Sequence, residues 1–382
     1  MTTREYQICT RCVMDTSDPE IEFDAQGVCS HCHVRDEMIA QHVLTGEAGR
    51  RKLEQVVEEV RRAGQGRPYD CVIGVSGGVD STYLAWRVKE MGLRPLAVHL
   101  DNGWDSELAV KNIENTVRLL GVDLHTHVLD WDEFKDLQLA FLRASTPDAE
   151  IPTDHAIVAV LYQTARKHGI RYILSGQNLR TESHLPQAWS NGHIDWRYIK
   201  GIHRKFGTRP LRSFPHLTWA QSRMYPAQNP RIDILNYMDY VKADALKVLQ
   251  DELGWKYYGG KHYESIYTRF YQGYILPRKF GFDKRRMHFS SLVCAGEMDR
   301  EQALEELKTE PYPPELQRED REFVAKKFGL TDAEFQEIMD LPPKRFWDYP
   351  SYLRIFHHPA YRHMSSLYRR TVRPLLAAAR SG

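Results

Sequence analysis

The chain has 382 residues, 42% of them hydrophobic, and its 52 Lys and Arg against 51 Asp and Glu leave a formal net charge of +1. That length suggests two domains, or one with large additions, and the apolar content supports a substantial core and excludes global disorder. The near-neutral charge argues against a surface built mainly for nucleic acid; no apolar run approaches a membrane span and Met1 to Gln7 lack a signal-peptide core, so a cytoplasmic setting with reduced cysteines is expected.

Four of the six cysteines stand near the N-terminus in two knuckles, Cys9-Thr-Arg-Cys12 and Cys29-Ser-His-Cys32, about 16 residues apart. Such units imply metal or redox chemistry, and the redox reading needs a thioredoxin-like βαβ context that is missing here. The spacing fits a structural zinc ribbon ligated by Cys9, Cys12, Cys29 and Cys32, without an open position for catalysis. Residues 20–24 alternate like a short strand, and a segment this small relies on its metal to fold. Residues 47–63 read as a charged helix with Leu53, Val56, Val57 and Val60 on one face, ended by Gly64-Gln65-Gly66-Arg67-Pro68.

Cys71-Val72-Ile73-Gly74-Val75 then reads as a buried strand, running into Ser76-Gly77-Gly78-Val79-Asp80-Ser81. Leu84, Ala85 and Val88 beyond it have helical spacing. A glycine-rich turn at a helix N-terminus presents backbone N–H groups and the positive end of the helix dipole, which suits phosphate. Gly77 and Gly78 allow close approach, Ser76 and Ser81 add donors, and Asp80 suits either Mg²⁺ or a helix cap. A Walker A loop would need Lys-Ser/Thr after the last glycine. The run resembles the Ser-Gly-Gly-x-Asp-Ser signature of the ATP pyrophosphatase (PP-loop) superfamily. The resemblance implies ATP and Mg²⁺, with Val75, Ser76, Gly77, Gly78, Asp80 and Ser81 at the nucleotide. It also implies attack of a substrate carbonyl oxygen on the α-phosphate, then displacement of AMP by a nitrogen or sulfur nucleophile.

Further strands are expected at 95–100, 124–129 and 171–175, with helices at 106–120, 132–142 and 156–167. This alternation calls for an α/β fold with a doubly wound, Rossmann-like parallel sheet that binds ligands at the carboxyl ends of its strands. Asp101-Asn102-Gly103 and Gly176-Gln177-Asn178 fall on the same rim as the phosphate loop, with Glu182 close behind. In the superfamily resembled, the turn after the second strand lies beside adenine and ribose, which implies Leu100 and Asp101 there. Asp101-Asn102-Gly103 is equally an ordinary turn, and Gly176 and Asn178 carry the same two readings.

Between Gly176 and Ile232 periodicity fails and Trp, His, Pro and Arg dominate, so an irregular cap over the rim is expected, followed by a helix at 237–253. Residues 255–286 interleave aromatics with Lys261, His262, Arg269, Lys279, Lys284 and Arg285, and also carry Glu264. The mixture suits an anionic ligand carrying rings, such as a nucleotide-sugar; the alternative is a solvated basic helix with a packed aromatic face. Cys71 and Cys294 read as small buried hydrophobes. Asp299 starts a helix, another follows Thr331-Asp332, and the His357-His358 pair in a basic tail reads as surface.

The Cys-x-x-Cys pair, the Ser-Gly-Gly-Val-Asp-Ser loop and Gly259-Gly260-Lys261-His262-Tyr263-Glu264-Ser265, in that order, resemble the N-acetyl sugar amidotransferases of bacterial surface-polysaccharide biosynthesis. The resemblance spans about Cys9 to Leu307. It implies adenylation of the amide oxygen of a sugar N-acetyl group and displacement of AMP by ammonia, leaving an acetamidino group. It further implies, for O-antigen biosynthesis, ammonia from a separate glutaminase subunit with a barrel cyclase-like partner, both similar to those of histidine biosynthesis. Asp80 and Lys261 are the residues expected at the chemistry, Lys261 on the α-phosphate or the substrate. The expected domains are a zinc ribbon over 1–40, the nucleotide domain over 41–232, and a mainly helical substrate or partner region over 233–382. A tRNA thiolase and a non-catalytic nucleotide-binding scaffold are the competing readings.

Overall fold

The computed structural model describes residues 5–260 and 263–357. Its centre is one sheet of β1 (Cys71–Gly74), β2 (Pro95–Asp101), β3 (Asp123–Val128), β4 (Tyr172–Ser175) and β5 (Arg231–Asp233). The order is β3-β2-β1-β4-β5 and every neighbouring pair is parallel. β1 aligns Cys71 with Pro95 on one side and with Tyr172 on the other. The direction of winding therefore reverses between β1 and β4, where a doubly wound sheet opens its ligand crevice.

Both faces of the sheet are covered, which is why the strands are apolar at successive positions. Cys71, Ile73, Ala97 and Leu174 pack with α2 (Gly46–Ala63), α3 (Val79–Glu90), α4 (Glu107–Leu120) and α9 (Lys242–Leu253). Val72, Leu96, Val98 and Ile173 face the other way, onto Ala159, Val160 and Ala165 of α6 (Ile151–Lys167). Ser106 caps α4 by accepting from Ala109 N–H at 3.2 Å, and Asp130 caps α5 (Trp131–Ala144) by accepting from Glu133 N–H at 3.0 Å.

The expected irregular cap after β4 is instead partly regular, with α7 (Trp196–Phe206), α8 (Trp219–Gln228) and the edge strand β5. Trp196, Ile199 and Ile202 recur at i, i+3 and i+6 behind the cap Asp195, and bury against α5. The high Trp, His and Pro content of the stretch obscures that spacing. The helix expected from 237 begins only at Lys242, after a 3₁₀ turn over Ile234–Tyr237. No strand forms at 20–24; a single bridge joins Phe23 to Cys29 and another joins Ile8 to Asp15.

A third core joins the two ends of the chain. The N-terminal segment, closed by α1 (Ser30–His42), sends Cys9, Cys12, Met14, Ile21, Cys29 and Cys32 into it. The C-terminal region supplies α10 (Ile266–Phe270), the π-helical stretch Tyr271–Phe280 and α11 (Arg285–Ala295), with α12 (Arg300–Glu306) following outside this core. It continues through α13 (Pro314–Phe328), α14 (Asp332–Asp340) and α15 (Tyr352–His357). The N-terminal segment is held there by polar contacts as well: Val13 N–H donates to Ser290 Oγ at 3.1 Å, and Arg300 donates to the carbonyls of Cys9 and Cys12 at 2.7 and 3.0 Å. Among the described residues no helix is long and apolar enough to cross a membrane. His358 lies outside the described residues.

Arg269 of α10 makes a two-pronged pair with Asp320 of α13 at 2.8 and 2.7 Å, and both side chains are largely buried. Asp320→Ala leaves the guanidinium buried without its partner and is expected to destabilise the chain by about 3–5 kcal/mol, read as a lowered urea midpoint. Replacing both by apolar residues of similar volume should cost far less.

His193, ahead of α7, sits 2.8 Å from Ser190 Oγ and 3.5 Å from Asp148. Burial opposes its charge, but the bond to Asp148 and the charges of Asp154 and Asp148 outweigh that and push its pKa up to about 9. A raised folded pKa gives stability that is complete below the ordinary value near 6.5 and lost as pH rises through about 9. The melting temperature of the wild type should fall between about pH 7 and about pH 9. That of His193→Gln should start lower and be flatter over the same range.

Candidate active site

The turn after β1 stands at the switch point. Gly77 has φ +77°, and a Cβ there would lie 2.7 Å from the Ala109 carbonyl oxygen of α4, so only glycine fits on both counts. Its own carbonyl accepts from Trp255 Nε1 at 2.9 Å. Ser76 Oγ and Ser81 Oγ are 3.1 Å apart, and Ser76 N–H donates to Ser81 Oγ at 3.2 Å, which folds the turn back over the start of α3. No side chain caps that helix. From the neighbouring strand, Gly176 comes so close that a Cβ would stand 2.7 Å from the Asp80 carbonyl oxygen. The crevice between β1 and β4 is thus closed at its floor by backbone alone.

Above this floor lies a cleft of about 770 Å³, the volume of a pocket for a nucleotide-sized ligand. Ser76, Gly78, Asp80, Ser81, Gly176, Glu182 and Glu264, all expected at the site, line it. Glu264 arrives from far along the chain because the segment after β2 pairs with it: Ser106 N–H donates to the Glu264 carbonyl at 2.8 Å, and Ile266 N–H to that of Trp104 at 2.9 Å. Tyr240 donates its hydroxyl to Asp80 Oδ1. Burial and then the Asp80 charge raise the Tyr240 pKa; burial, the charge of Glu264 and a hydrogen bond to it do the same for Tyr258. Both phenols therefore stay protonated and serve as donors to the carboxylates. The described cations on the wall are Arg180 and Lys242, and Tyr257, Tyr258 and Glu297 also line it. The hard oxygen donors Asp80, Glu182, Glu264 and Glu297 suit Mg²⁺ sharing its shell with phosphate oxygens.

Other expected residues lie elsewhere. Val75 is buried beneath the turn, its N–H donating to Val98 at 2.9 Å, and Gly77 sits behind the wall. Leu100 and Asp101 are on the rim but not in the cleft; Asp101 Oδ1 accepts from Gly103 N–H at 2.8 Å, the ordinary-turn reading. Asn178 is buried and holds its own turn, accepting from Thr181 N–H at 2.9 Å. Among the described residues, Arg269, Lys279, Lys284 and Arg285 do not gather at the nucleotide rim. Arg269 is committed to Asp320. Lys279 closes the end of α14 by donating to the carbonyls of Ile338, Met339 and Leu341 at 2.6 to 2.9 Å, and burial lowers its pKa to about 8. Arg285 pairs with Asp283 at 2.7 Å and donates to the Thr309 carbonyl at 2.8 Å. Lys284 lies 3.7 Å from Glu150 in the buried cluster around Asp148. Lys261 and His262 lie outside the described residues.

Composition alone overlooks Arg180, Tyr240, Lys242 and Glu297. A lysine at the start of α9 and a glutamate after α11 carry no local signal; only packing of α9 against α3 brings them to the rim.

At the N-terminus the four cysteine sulfurs all lie within 4.8 Å of one another and are buried. Cys12 to Cys29 is 3.6 Å, Cys29 to Cys32 is 3.7 Å and Cys9 to Cys32 is 3.9 Å. A tetrahedron with Zn–S bonds of about 2.3 Å has edges of about 3.8 Å, so the set fits a zinc ribbon. An iron–sulfur cubane binds each thiolate to a different iron and would not draw four sulfurs onto one centre. Backbone N–H groups of Arg11, Cys12 and Cys29 point at Cys9 Sγ at 3.2 to 3.4 Å, as thiolate charge requires. Cys71 is a buried strand residue, but Cys294 is not an inert hydrophobe: it lies 3.9 Å from Cys32 Sγ and 3.9 Å from His184 Nε2.

Comparison with known proteins gives three findings. No curated protein matches the chain. Among solved structures, an NMN synthetase from Francisella tularensis is similar at TM-score 0.29 and 14% identity, over 55% of this chain and 94% of that one. An NH₃-dependent NAD synthetase from Campylobacter jejuni subsp. jejuni NCTC 11168, in complex with the nitrate ion, is similar at TM-score 0.31 and 13% identity, over 74% and 97%. Residues 264–361 match the family model described as "LPS biosynthesis protein WbpG-like, C-terminal domain". That match begins at Glu264, on the cleft wall, and runs through α10 to α15. Over these residues, about a quarter of its length, the chain is similar to the C-terminal domain of the WbpG-like lipopolysaccharide-biosynthesis family.

Proposed function

We propose that the protein is an ATP-dependent, AMP-forming amidotransferase acting on the N-acetyl group of a nucleotide-linked sugar in lipopolysaccharide assembly. The observation that carries this reading is the Ser76–Ser81 turn at the switch point, opening into the cleft whose far wall begins the WbpG-like domain. An acetamide is a poor electrophile because its oxygen leaves badly. Attack of that oxygen on the α-phosphorus of ATP transfers an adenylyl group to it and releases pyrophosphate; ammonia then adds at carbon, loses a proton and expels AMP to give the acetamidino group.

In this reading the turn and the uncapped start of α3 hold the pyrophosphate portion of ATP, with Ser76 and Ser81 as added donors. Asp80 and a second wall carboxylate hold Mg²⁺, which neutralises charge growing on the phosphates. Tyr240 keeps the Asp80 carboxylate oriented. Arg180 and Lys242 are the described cations placed for phosphate or sugar-nucleotide charge, and Tyr257 offers an exposed ring face for stacking. Lys261 retains the role suggested by its motif, on the α-phosphate or the substrate. Glutaminase and barrel cyclase-like subunits supply the ammonia, and the four-cysteine site holds structural zinc. The thiolase reading loses support, since no cysteine lines the cleft among the described residues.

With ATP, Mg²⁺, an ammonium salt and a panel of nucleotide-linked N-acetyl sugars, the protein should release AMP and pyrophosphate and convert one panel member to its amidine, read by mass spectrometry. ADP and phosphate as products would overturn the adenylation reading. Gly77→Ala forces a side chain against α4 in a left-handed backbone and should lower AMP formation by roughly 10²-fold or more while circular dichroism stays unchanged.

A further inference from the structure

Beside the four-cysteine site lies a second cluster that the ribbon does not use. Cys32 Sγ, Cys294 Sγ and His184 Nε2 are mutually 3.9 Å apart on all three sides. An equilateral triangle of that side has its centre about 2.3 Å from each corner, the length of a Zn–S bond and close to that of a Zn–N bond. His184 is fully buried and its ring is oriented from behind. Ser291 Oγ donates to the Met287 carbonyl at 3.2 Å, and so accepts from His184 Nδ1–H at 3.0 Å and from the His184 backbone N–H at 3.3 Å. Ser183 Oγ is further from Nδ1, at 3.4 Å. The proton thus sits on Nδ1, and the Nε2 lone pair faces the two sulfurs, the arrangement of a histidine prepared by its outer partner to bind metal.

We propose that His184 and Cys294, with Cys32 as a bridging thiolate, form a second site for a soft divalent cation of the zinc class. The proposal rests on the four-thiolate reading of the ribbon. Charge favours it. One dication among four buried thiolates leaves two uncompensated negative charges, whereas adding a second dication together with the Cys294 thiolate leaves one, a smaller charge to bury. Among the described residues only three protein donors meet at this point, so the fourth position belongs to water or another exogenous donor. The three donors come from α1, from the segment after β4 and from α11. Glu182 and Glu297, two and three residues from His184 and Cys294, line the cleft. The second ion would therefore fasten the ribbon to two walls of the cleft.

The test is an anaerobic titration of the metal-free full chain with Co²⁺, following thiolate-to-cobalt charge transfer and d–d absorption. The wild type should take up about two ions per chain, and Cys294→Ser or His184→Asn about one, with the four-thiolate spectrum of the first ion retained. Far-UV circular dichroism of both variants identifies any that fails to fold, and either variant suffices for the comparison. Saturation of the wild type at one ion overturns the second site and leaves the ribbon intact. Uptake of none overturns the ribbon as well. Two ions in a folded variant would show that other residues bind the second one, and would equally overturn the assignment.

Discussion

The contact between Gly77 and the Ala109 carbonyl is the constraint on which the cleft depends. Because nothing projects from Gly77, α4 can pack against the turn after β1, and Trp255 can reach the Gly77 carbonyl from the far end of α9. Because nothing projects from Gly176, β4 can bring the opposite wall against the first turn of α3. The two close approaches leave a helix N-terminus and its serines exposed at the one point of the sheet where winding reverses. The exposed helix N-terminus, a feature suited to phosphate, is a consequence of backbone packing, and the side chains around it are added to a floor already in place.

Charge is divided between structure and chemistry in an unexpected way. The basic, aromatic stretch after Trp255 has the composition of an anion site, yet Arg269, Lys279 and Arg285 close helix ends or buried pairs within the C-terminal domain. A buried guanidinium with a two-pronged carboxylate partner is costly to break and has little field to offer a distant ligand. The cleft itself is rich in carboxylates, with Asp80 attended by the buried Tyr240 and Glu264 by the half-buried Tyr258. That balance suits a polyanion brought in with its own cation better than a bare anion.

The N-terminal cysteines also behave as more than an appendage. Their buried knuckles share a core with α5, α7 and the C-terminal helices, and Arg300 is bonded to the carbonyls of Cys9 and Cys12. Metal at this point would therefore stabilise the junction of the two chain ends as well as the small segment that supplies the ligands.

Local pattern was enough for much of this protein. The apolar strand before Ser76, the two knuckles and the β–α alternation determined a doubly wound sheet, its glycine-rich turn and a four-cysteine cluster, since each depends on neighbours in sequence: period, turn chemistry and ligand spacing. Tertiary structure decided what depends on residues far apart. It set Glu264 over the turn through pairing with the segment after β2, and brought Lys242 and Glu297 to the rim. It committed Arg269, Lys279 and Arg285 to partners within the C-terminal region and joined Cys294 and His184 to Cys32 across 262 and 152 positions. Composition cannot distinguish a lysine that closes a helix from one that meets a phosphate, because the side chain is the same and only its surroundings differ.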